Sequence, residues 1–513
     1  MMTLLRGKVA YVLKLIVVLV ISVVLLMLTQ HAVAQREYAI AIFLAIAVIL
    51  IAFTYLTQVS VPLKFFIPGL LLLFAFVLSP ILYTVVMSEF NYKTGNILSK
   101  QQAIEQIISR AVEPDANGTS FDIKIGVSNG VPAILASDTI NKQYFLATEK
   151  SRIDLTADQV TLDANEVAAT APNFRVLTPT EMQTADTKYS NARFVFGKTG
   201  YFVTLEGFDV GVVSHQVLEY LPDQGIFKSL VDDSVYRDNG RGNFALTTDS
   251  SNMLSPGWRA PIWFENYTKL FSDSKVRGPL IRVFIWTMVF ATGTVLTSFA
   301  LGLLLAIAMN KPMRGRRFYR SILILPYAMP SIMSILIWAG MFDTEFGAIN
   351  NILGTHIAWF QNASFARLAV IFVNLWLAFP YFYLISSGAL QAIPSELNEA
   401  AAIDGANPRQ IFRKITLPLL LQILSPLLIA SFAFNFNNFN LIYLLTGGGP
   451  RNVLSGEIAG GTDILISYTY KIAFGSNTQD LGLASAISVV IFVIVAGISL
   501  YGLRKSKVLE TFK

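Results

Sequence analysis

Eight apolar stretches, each about as long as a helix needs to cross a bilayer, constrain the fold of this chain more than any other feature. Such a helix takes about 20 mostly apolar residues. Because 54% of the residues are hydrophobic and only 14% are charged, the chain is too apolar for an ordinary soluble protein. The sequence therefore predicts an all-α integral membrane protein. Its eight transmembrane helices are expected at residues 9–28, 38–56, 65–86, 283–309, 321–341, 368–390, 419–445 and 481–503.

Basic residues are concentrated in three of the segments that follow these spans. They are Lys311, Arg314, Arg316, Arg317 and Arg320 after span four, Arg409, Arg413 and Lys414 after span six, and Arg504, Lys505, Lys507 and Lys513 after span eight. Lys and Arg close to a span favour the cytoplasmic side of the membrane. Arg6 and Lys8 precede span one, so an even number of spans brings both termini to the cytoplasm. The same count predicts that the long polar segment 88–276 lies outside.

The first apolar stretch also fits a second interpretation, a cleavable secretory signal. Its basic start and the sequence Ala32-Val33-Ala34 before Gln35 are typical of a cleavage site. Lys14 interrupts the apolar run, however, and a second apolar stretch follows almost at once, which favours a retained helix. Cleavage would leave seven spans and an external N-terminus, with the downstream topology unchanged.

The spans divide the chain into three regions. Residues 1–88 contain spans one to three, residues 89–276 form an external domain, and residues 277–513 contain spans four to eight. The external region exceeds the roughly 50 residues at which globular domains begin. We therefore expect an independent domain inserted between two sets of membrane helices.

The external region carries both helix and strand patterns. Ile104, Ile107 and Ile108 recur at the spacing of one helix face. Residues 121–127 alternate as a half-buried strand does, and residues 193–205 predict a β-hairpin with a glycine-containing turn. The inserted domain is therefore expected to be α+β and rich in strand. Since the chain has no cysteine, a hydrophobic core rather than a disulfide framework must stabilise it.

Motifs for catalysis or nucleotide binding are not matched. Gly197-Lys198-Thr199 looks like the end of a phosphate-binding loop, but that pattern requires a glycine five positions earlier, where this chain has Ala192. His31, His215 and His356 lie far apart, and none has a metal ligand or a nucleophile at motif spacing. The net charge of +6 is explained by the basic membrane loops rather than by nucleic-acid binding. We expect a chain that is not itself an enzyme and that needs a partner for any ATP hydrolysis.

The segment between spans six and seven predicts two short helices around a glycine turn. Ser395 is a good N-cap, and Glu399 follows in the first part of the helix, where the dipole favours negative charge. Gly405 supplies a break, and Asn407 then caps a second helix with Pro408 at its first position. From these signals alone, a structured re-entry between two spans and a docking element for another protein are equally consistent. A helix-turn-helix DNA reader is disfavoured because both helices are tethered to spans.

The spacing within this segment resembles the EAA motif of ABC importer permeases. The matching positions are Glu399-Ala400-Ala401, Gly405, Ile415 and Leu417-Pro418. The resemblance implies that the loop 394–418 docks on an ATP-binding subunit, with Glu399, Ala400, Ala401 and Gly405 at the coupling contact. It also implies that two partner ATPase subunits bind ATP and Mg²⁺, that this chain holds no cofactor or metal, and that a second permease subunit is present.

Span seven contains several polar side chains within an apolar run. Such groups are costly at membrane depth unless they contact a partner or a cavity. At about 100° per residue, one face of this span carries Ser431, Asn435, Asn438 and Ile442, with Phe434 beside it. Asn437 and Asn440 are expected to point elsewhere. Amides and a hydroxyl next to an aromatic ring suit a neutral polyol such as a sugar, whereas hydrogen bonding between helices is the alternative use of these side chains.

Spans five and six add polar and proline positions that could contribute to the same site. Asn374 and Tyr381 lie in span six beside Pro380, which can break that helix locally. Span five contains Pro326 and Pro330. Backbone groups freed by such breaks can line a cavity.

Several further segments resemble one family of these permeases, the MalF-type subunits of maltose and maltodextrin importers. The segments are 263–267, 324–327, 430–439 and 446–450. The resemblance extends over nearly the whole chain and is weakest in the external domain. It implies a type I importer permease in the bacterial inner membrane and a maltose or maltodextrin site. The implied site residues are Asn374, Leu377, Tyr381, Ser431, Phe434, Asn435 and Asn438.

The same resemblance implies the partners and one departure. The expected partners are a MalG-like second permease, two MalK-like ATP-binding subunits and a periplasmic maltose-binding protein, whose cleft the external domain would enter. Ala378 stands where the family pattern has glycine, so its methyl group is expected to narrow the site.

Other functions stay open at this point. A permease for another neutral oligosaccharide and a sodium-coupled secondary sugar transporter both fit the neutral span interiors. Proton coupling is disfavoured because those interiors lack Asp, Glu and His. A membrane-tethered external sensor is disfavoured because five further spans exceed what a tether needs.

Overall fold

The computed structural model of the chain describes residues 8–35, 37–57, 60–116, 118–190, 192–310, 313–452, 456–475 and 479–505. Arg6, Lys311, Lys507 and Lys513, which contributed to the orientation prediction, lie outside the described residues. Within these ranges, seven helices are long and apolar enough to cross a membrane, and one strongly bent helix pair supplies an eighth. The helical membrane architecture predicted from the sequence is confirmed.

The N-terminal region consists of three apolar helical segments. Its helices are α1 Lys8–Ala34, α2 Tyr38–Leu56, α3 Val61–Leu73 and α4 Ser79–Ser88. A π-helical turn at Phe74–Leu78 joins α3 to α4, and together they form the third span, Val61–Ser88. α1 and α2 pack against each other, and most of their large apolar side chains are exposed. These exposed surfaces are those of helices embedded in lipid or covered by another membrane protein.

The external region contains α5 Lys100–Arg110, α6 Pro179–Ser190 and fifteen strands within the described residues. The strands are β1 Val112–Pro114, β2 Ser120–Ser128, β3 Val131–Asp138, β4 Gln143–Thr148, β5 Arg152–Leu155, β6 Thr161–Leu162, β7 Ala168–Thr170, β8 Phe174–Val176, β9 Phe194–Val195, β10 Tyr201–Glu206, β11 Val210–Gln216, β12 Leu218–Leu221, β13 Ile226–Ser229, β14 Val235–Asp238 and β15 Phe244–Leu246. A short 3₁₀ turn lies at Ala157–Gln159. The predicted strand-rich α+β fold is confirmed.

The main sheet of this region has nine antiparallel strands, seven of them in the order β5-β4-β3-β2-β11-β10-β9. β12 to β15 form a second sheet, and β6 pairs with β7. The predicted hairpin is present, since Phe202 of β10 pairs with Val195 of β9. Phe121, Ile123 and Ile125 of β2 are buried in the core of the main sheet, as their alternation predicted. The predicted helix around Ile107 is α5, with Ile107 buried.

The remaining helices belong to the C-terminal region, except that α7 and the first residues of α8 still lie within the external region 89–276. They are α7 Glu265–Ser272, α8 Ser274–Ala308, α9 Arg316–Ala328, α10 Ser331–Met341, α11 Ala348–Leu353, α12 Ala363–Ala392, α13 Ser395–Ile403, α14 Pro408–Ile411, α15 Leu417–Phe436, α16 Phe439–Thr446, α17 Leu465–Phe474 and α18 Leu481–Lys505. α8 (span four) and α12 (span six) pack along each other at the centre. At Gly302 the two helices are so close that a Cβ atom would lie 2.6 Å from Cβ of Phe382. α18 packs on α4 and α15, which joins the N-terminal region to this core.

Span five, predicted at 321–341 with a possible break at its prolines, is not a continuous helix. It consists of α9 and α10, which meet at an angle of 91°. Met329 between them is extended, at φ −82° and ψ 142°, and Pro330 follows it. The residue before a proline is driven out of the helical region by contact with the proline ring, which explains the break.

Span seven also differs from the prediction, because its helix does not extend from 419 to 445. α15 ends at Phe436, and Asn437 leaves the helical conformation at φ −113° and ψ 23°. Asn438 then caps α16, accepting from the backbone N–H of Leu441 with its side chain. Asn side chains compete for backbone hydrogen bonds in this way and favour helix ends over helix interiors.

The local break that the sequence allowed at Pro380 does not occur in span six. α12 runs without interruption from Ala363 to Ala392 with Pro380 buried inside it. A proline removes one backbone hydrogen bond from a helix, and neighbouring helices can hold the chain in place around it. Close packing of α12 on α8 supplies that support here.

Candidate functional site

A cavity of about 580 Å³ lies between spans five, six and seven. Every residue that was predicted for the substrate site lines it. These residues are Asn374, Leu377 and Tyr381 from α12, Ser431, Phe434 and Asn435 from α15, and Asn438 at the start of α16. The structure therefore brings together residues that lie more than 60 positions apart in the sequence.

Three asparagine side chains form a continuous chain of hydrogen bonds along one wall of the cavity. Asn438 Nδ2 donates to Asn374 Oδ1 at 3.2 Å. Asn374 Nδ2 donates to Asn435 Oδ1 at 2.9 Å, and Asn435 Nδ2 donates to the carbonyl oxygen of Ser431 at 2.8 Å. Asn374 and Asn435 are buried, so these bonds satisfy amides that would otherwise be costly at this depth.

Hydrogen bonding between helices, the alternative use of these side chains, is therefore present. The bonds of Asn374 to Asn435 and Asn438 connect span six to both halves of span seven. The same amides still lie on the cavity wall. An amide can exchange one partner for another, so the structural use and a binding use are compatible.

The break in span seven changes which of its side chains contribute to the cavity. The predicted face of a continuous helix is wrong, since Ile442 is buried in a hydrophobic cluster with Trp286 and Phe290 instead. Asn440, which was expected to point elsewhere, lines the cavity. Asn437 is exposed and donates to the carbonyl oxygen of Ala433 at 3.4 Å, outside the cavity as expected.

Span five contributes to the cavity at its bend, where the sequence had indicated that freed backbone groups could line one. Met329, Ser331 and Ile335 line the cavity beside Pro326, and Tyr327 completes this side. Pro326 and Pro330 were the signal for this break, because a proline disfavours the helical conformation of the residue before it.

The lining of the cavity suits a neutral, hydroxyl-rich ligand. Among the described residues that line it there is no Asp, Glu, Lys, Arg or His. Its polar groups are amides and hydroxyls, which supply both donors and acceptors. Phe434 is 69% exposed and presents an aromatic ring of the kind that covers the apolar face of a sugar. The methyl group of Ala378 also lies on the wall.

The loop between spans six and seven has the predicted glycine turn. Gly405 adopts φ +83°, a left-handed conformation that favours glycine. Asn407 caps the following helix in a capping box with Gln410, as predicted. The predicted N-cap at Ser395 is wrong: α13 begins at Ser395 and is preceded by Pro394, without a side-chain cap.

The second helix of the loop is not a separate element. α14 continues through a π-helical turn, Phe412–Thr416, directly into α15. Thr416 Oγ1 also donates to Asn398 Oδ1 of α13 at 3.4 Å, which links the two sides of the loop. A continuous helix therefore connects the loop to Ser431 and Asn435 in the cavity.

The predicted coupling residues lie on the outer side of this loop. Glu399 and Ala400 are exposed and Ala401 is half-buried. A Cβ atom at Gly405 would meet no other atom within 4 Å, so its surroundings within this chain are open. Ile403, at the end of α13, is 87% exposed. It is a large apolar side chain on the surface of the loop that sequence reasoning did not single out.

A search of the described residues for groups of metal-ligating side chains has a negative result. There, no group of three or more His, Asp or Glu side chains is close enough to hold a metal ion. His31 lies in α1, His215 in β11 and His356 after α11.

Comparison with known families matches two parts of the chain. Residues 298–506 match the family described as "Binding-protein-dependent transport system inner membrane component". Residues 71–149 match "N-terminal of TM subunit in PBP-dependent ABC transporters". Among solved structures, a bacterial ABC transporter involved in alginate import covers 48% of this chain and 84% of its own, at 22% identity and a TM-score of 0.41, an overlap too low to inform the site.

Two related proteins align over almost their whole length. The maltose/maltodextrin transport system permease protein MalF of Vibrio vulnificus (strain YJ016) is 36% identical over 491 residues, covering 92% of this chain and 91% of the relative. MalF of Escherichia coli (strain K12) is 35% identical over 485 residues, covering 92% of each. This chain therefore belongs to the MalF family of permease subunits of binding-protein-dependent ABC transport systems.

Proposed function

We propose that this chain is the permease subunit through which an ABC importer moves maltose and maltodextrins across the bacterial inner membrane by alternating access. The observation that carries the proposal is the neutral cavity, whose wall combines three linked amides, a serine and an exposed aromatic ring. Its volume of about 580 Å³ is of the size of small-molecule sites in general. The identity of the proposed sugar comes from the names of the relatives, which are maltose/maltodextrin transport permeases.

The partners follow from the same family. An ABC importer permease works with a second permease, ATP-binding subunits and a binding protein, and here we propose a MalG-like subunit, two MalK-like subunits and a periplasmic maltose-binding protein. The MalK-like subunits would bind ATP and Mg²⁺. The chain itself is a transport subunit and not an enzyme.

The proposed topology places both termini and the loop 394–418 in the cytoplasm. Region 1–88 then supplies three spans, region 89–276 the periplasmic domain, and region 277–513 the five spans around the cavity. The basic residues after spans four, six and eight support this orientation. The periplasmic domain would contact the binding protein.

In this mechanism the chain converts closure of the ATPase into a change of shape at the cavity. Glu399, Ala400, Ala401 and Gly405 would contact the ATP-binding subunit. Because α14 continues into α15, displacement of the loop would move Ser431 and Asn435 relative to Asn374 on span six. Sugar delivered from outside would bind to the amides and the ring of Phe434 and leave on the inside.

Uptake by the reconstituted complex tests this proposal. The chain, its second permease and the ATP-binding subunits are placed in proteoliposomes with maltose-binding protein outside and ATP inside, and uptake of labelled maltose is measured. We expect uptake only with ATP. Uptake without ATP that follows an imposed sodium gradient would overturn the importer assignment in favour of a secondary transporter.

Competition identifies the sugar. Unlabelled maltotriose should inhibit uptake of labelled maltose, and an unrelated neutral disaccharide such as cellobiose should not. Equal inhibition by both, or transport of cellobiose alone, would replace the maltodextrin assignment with another neutral oligosaccharide.

A further inference from the structure

α7 is attached to the ends of spans three, four and eight that face the external region. The end of span three holds the start of α7, because the backbone N–H groups of Ile262 and Trp263 both donate to the carbonyl oxygen of Glu89, at 2.7 and 2.9 Å. Within α7, Asn266 Nδ2 donates to the carbonyl oxygen of Ser88 at 2.9 Å. α7 then leads into α8 and packs on α8 and α18. Its position is thus fixed by all three spans.

The packing of α7 also sets its height relative to the membrane. Leu270 is fully buried in one hydrophobic cluster with Val283 and Leu483. These two residues lie at the beginning of the apolar stretches of spans four and eight, and Ser88 lies just beyond the apolar stretch of span three. The headgroup region of a bilayer begins where the apolar part of a span ends. α7 is therefore level with the lipid headgroups on the side of the external region.

The aromatic side chains of this segment are turned away from the protein core. Asn266 and Leu270 of α7 are buried. At about 100° per residue, Phe264 and Phe271 lie together on another side of the helix, and they are 68% and 65% exposed. Trp263, directly before Phe264, is 65% exposed. These three residues, here called the aromatic face of α7, are left mostly uncovered by the described part of the chain.

Packing within the chain does not account for a tryptophan at position 263. Trp263 adopts φ +52°, in the left-handed region that bulky side chains disfavour. Asn or Gly would fit this backbone better. Since the indole is also largely exposed, its role is better explained by a contact outside the chain.

The chemistry of the aromatic face is that of a lipid interface. Trp is enriched where membrane spans meet the headgroups, and Trp and Phe are typical of the buried side of helices that lie in this region. A basic residue stands beside it, because Arg277 of α8 is exposed and donates from Nη1 to the carbonyl oxygen of Phe271 at 3.4 Å. Basic side chains at this height can pair with lipid phosphates.

The two segments that connect the external region to the spans run beside α7. Residues 88–98 follow span three, and residues 257–264 lead into α7. The segments are paired with each other, since the backbone N–H of Asn91 donates to the carbonyl oxygen of Ala260 at 2.9 Å. The height of the external region above the membrane therefore depends on the position of α7.

We propose that Trp263, Phe264 and Phe271 insert among the phospholipid headgroups of the leaflet on the external side, and that this contact holds the external region at a fixed height above the membrane. The partner of the aromatic face is the lipid bilayer rather than another protein. This inference goes beyond the import function and does not depend on which sugar is carried.

Spin labels distinguish lipid, water and protein as surroundings of the aromatic face. The chain contains no cysteine, so Phe264→Cys and Phe271→Cys each carry a single label in the complex assembled with cysteine-free partners in lipid nanodiscs. Relaxation of the label is measured with oxygen, with a water-soluble nickel chelate and with a nickel chelate attached to a lipid headgroup. Ile140→Cys, 90% exposed in the external region, is the reference for water, and Phe76→Cys, 76% exposed in span three, is the reference for the apolar core.

We expect the labels at positions 264 and 271 to be relaxed most strongly by the lipid-bound nickel, and less by the soluble chelate than the label at position 140. Relaxation by the soluble chelate equal to that at position 140 would overturn the proposal in favour of a face in water. Low accessibility to all three reagents in the complex would overturn it in favour of a face covered by another subunit.

Quenching by brominated lipids gives an independent measurement on the unlabelled chain. Trp263→Phe removes one of six tryptophans, so the difference from wild type is the signal of Trp263. We expect lipids brominated near the headgroup to quench this signal more than lipids brominated near the end of the acyl chain. Trp258→Phe is the matched control, because Trp258 is 6% exposed in the core of the external region and its signal should not be quenched. A signal of Trp263 that neither lipid quenches would contradict the proposal.

Trp263→Asn separates a contact with lipid from a role in packing. Asn tolerates the left-handed conformation and residue 263 is exposed, so the midpoint of thermal unfolding in detergent should be unchanged. In nanodiscs, the label at position 264 should become less accessible to the lipid-bound nickel and more accessible to the soluble chelate. A lower midpoint in detergent with no change in the accessibility of the label would assign Trp263 to packing and overturn its contact with lipid.

Discussion

Asn438 donates from Nδ2 to Oδ1 of Asn374 across 3.2 Å, and this bond joins the first residue before α16 to the middle of span six. The same side chain accepts from the backbone N–H of Leu441 at 3.4 Å and so caps α16. One residue therefore both ends the break in span seven and closes one side of the polar cavity. The break and the cavity are a single structural feature.

Replacement of Asn435 by alanine should impair sugar transport. The change removes the acceptor of Asn374 and the donor to Ser431, both in the cavity wall. We expect the rate of maltose uptake to fall at least about tenfold, since buried amides are left unpaired. The measurement is uptake into proteoliposomes together with sugar-stimulated ATP hydrolysis, which should persist. Asn437→Ala is the control, because Asn437 is exposed outside the cavity; a similar loss there would remove the basis for assigning Asn435 to the site.

A bulky residue at Gly405 should abolish coupling to the ATPase and leave membrane insertion intact. Residue 405 adopts φ +83°, which most side chains disfavour, although no atom of this chain is within 4 Å of a Cβ placed there. Gly405→Leu would therefore strain the turn and occupy space on the docking face. Gly405→Asn separates these effects, because Asn tolerates this conformation. Normal sugar-stimulated ATP hydrolysis in Gly405→Leu would contradict the assignment of the loop.

Ala378→Gly should shift sugar preference without loss of assembly. Ala378 lies on the cavity wall, so removal of its methyl group widens the site. We expect the KM for maltotriose to fall relative to that for maltose by about tenfold, the lower end of the effect of one methylene-sized change in a pocket. The glycine costs about 0.5–1 kcal/mol of helix stability. An unchanged ratio of the two KM values would show that residue 378 does not limit the sugar.

Gly302→Ala should destabilise the helical core. A Cβ atom there would lie 2.6 Å from Cβ of Phe382 and from the backbone N of Tyr383, so α8 and α12 would have to separate. We expect a loss of about 1–3 kcal/mol, the range for overpacked cores. Gly293→Ala on the same helix is the control, because no atom lies within 4 Å of its Cβ position. Thermal unfolding of the purified chain in detergent should show a lower midpoint for the first variant only.

The sequence was most informative where one local pattern determined the outcome. The length of the apolar stretches predicted the membrane spans, and the alternation of apolar residues predicted β2. The pair Asn407-Pro408 predicted the start of α14. The residues of the cavity were identified by their polarity within apolar spans, supplemented by the family resemblance. Each of these signals depends on residues that are neighbours in sequence or on one face of one element.

The structure differs from the sequence-based predictions where tertiary contacts determine which of two locally acceptable conformations the chain adopts. Pro380 and Pro330 are both prolines in apolar spans, yet α12 stays continuous at the first and the chain bends at the second. The packing of α12 on α8 holds the first in place, and that packing is not visible in the local sequence. Asn440 was misplaced because helical periodicity was continued across Asn437, where the helix stops.

The linked asparagines have a thermodynamic consequence for the cargo. Because Asn374 is bonded to Asn435 and Asn438 before any sugar arrives, a sugar hydroxyl replaces existing hydrogen bonds instead of satisfying vacant ones. If the sugar binds here as proposed, such an exchange would contribute little net free energy, so binding at the cavity would be weak and dissociation fast. A carrier in which capture is performed by a separate binding protein gains from this weakness, since tight binding halfway across the membrane would slow delivery.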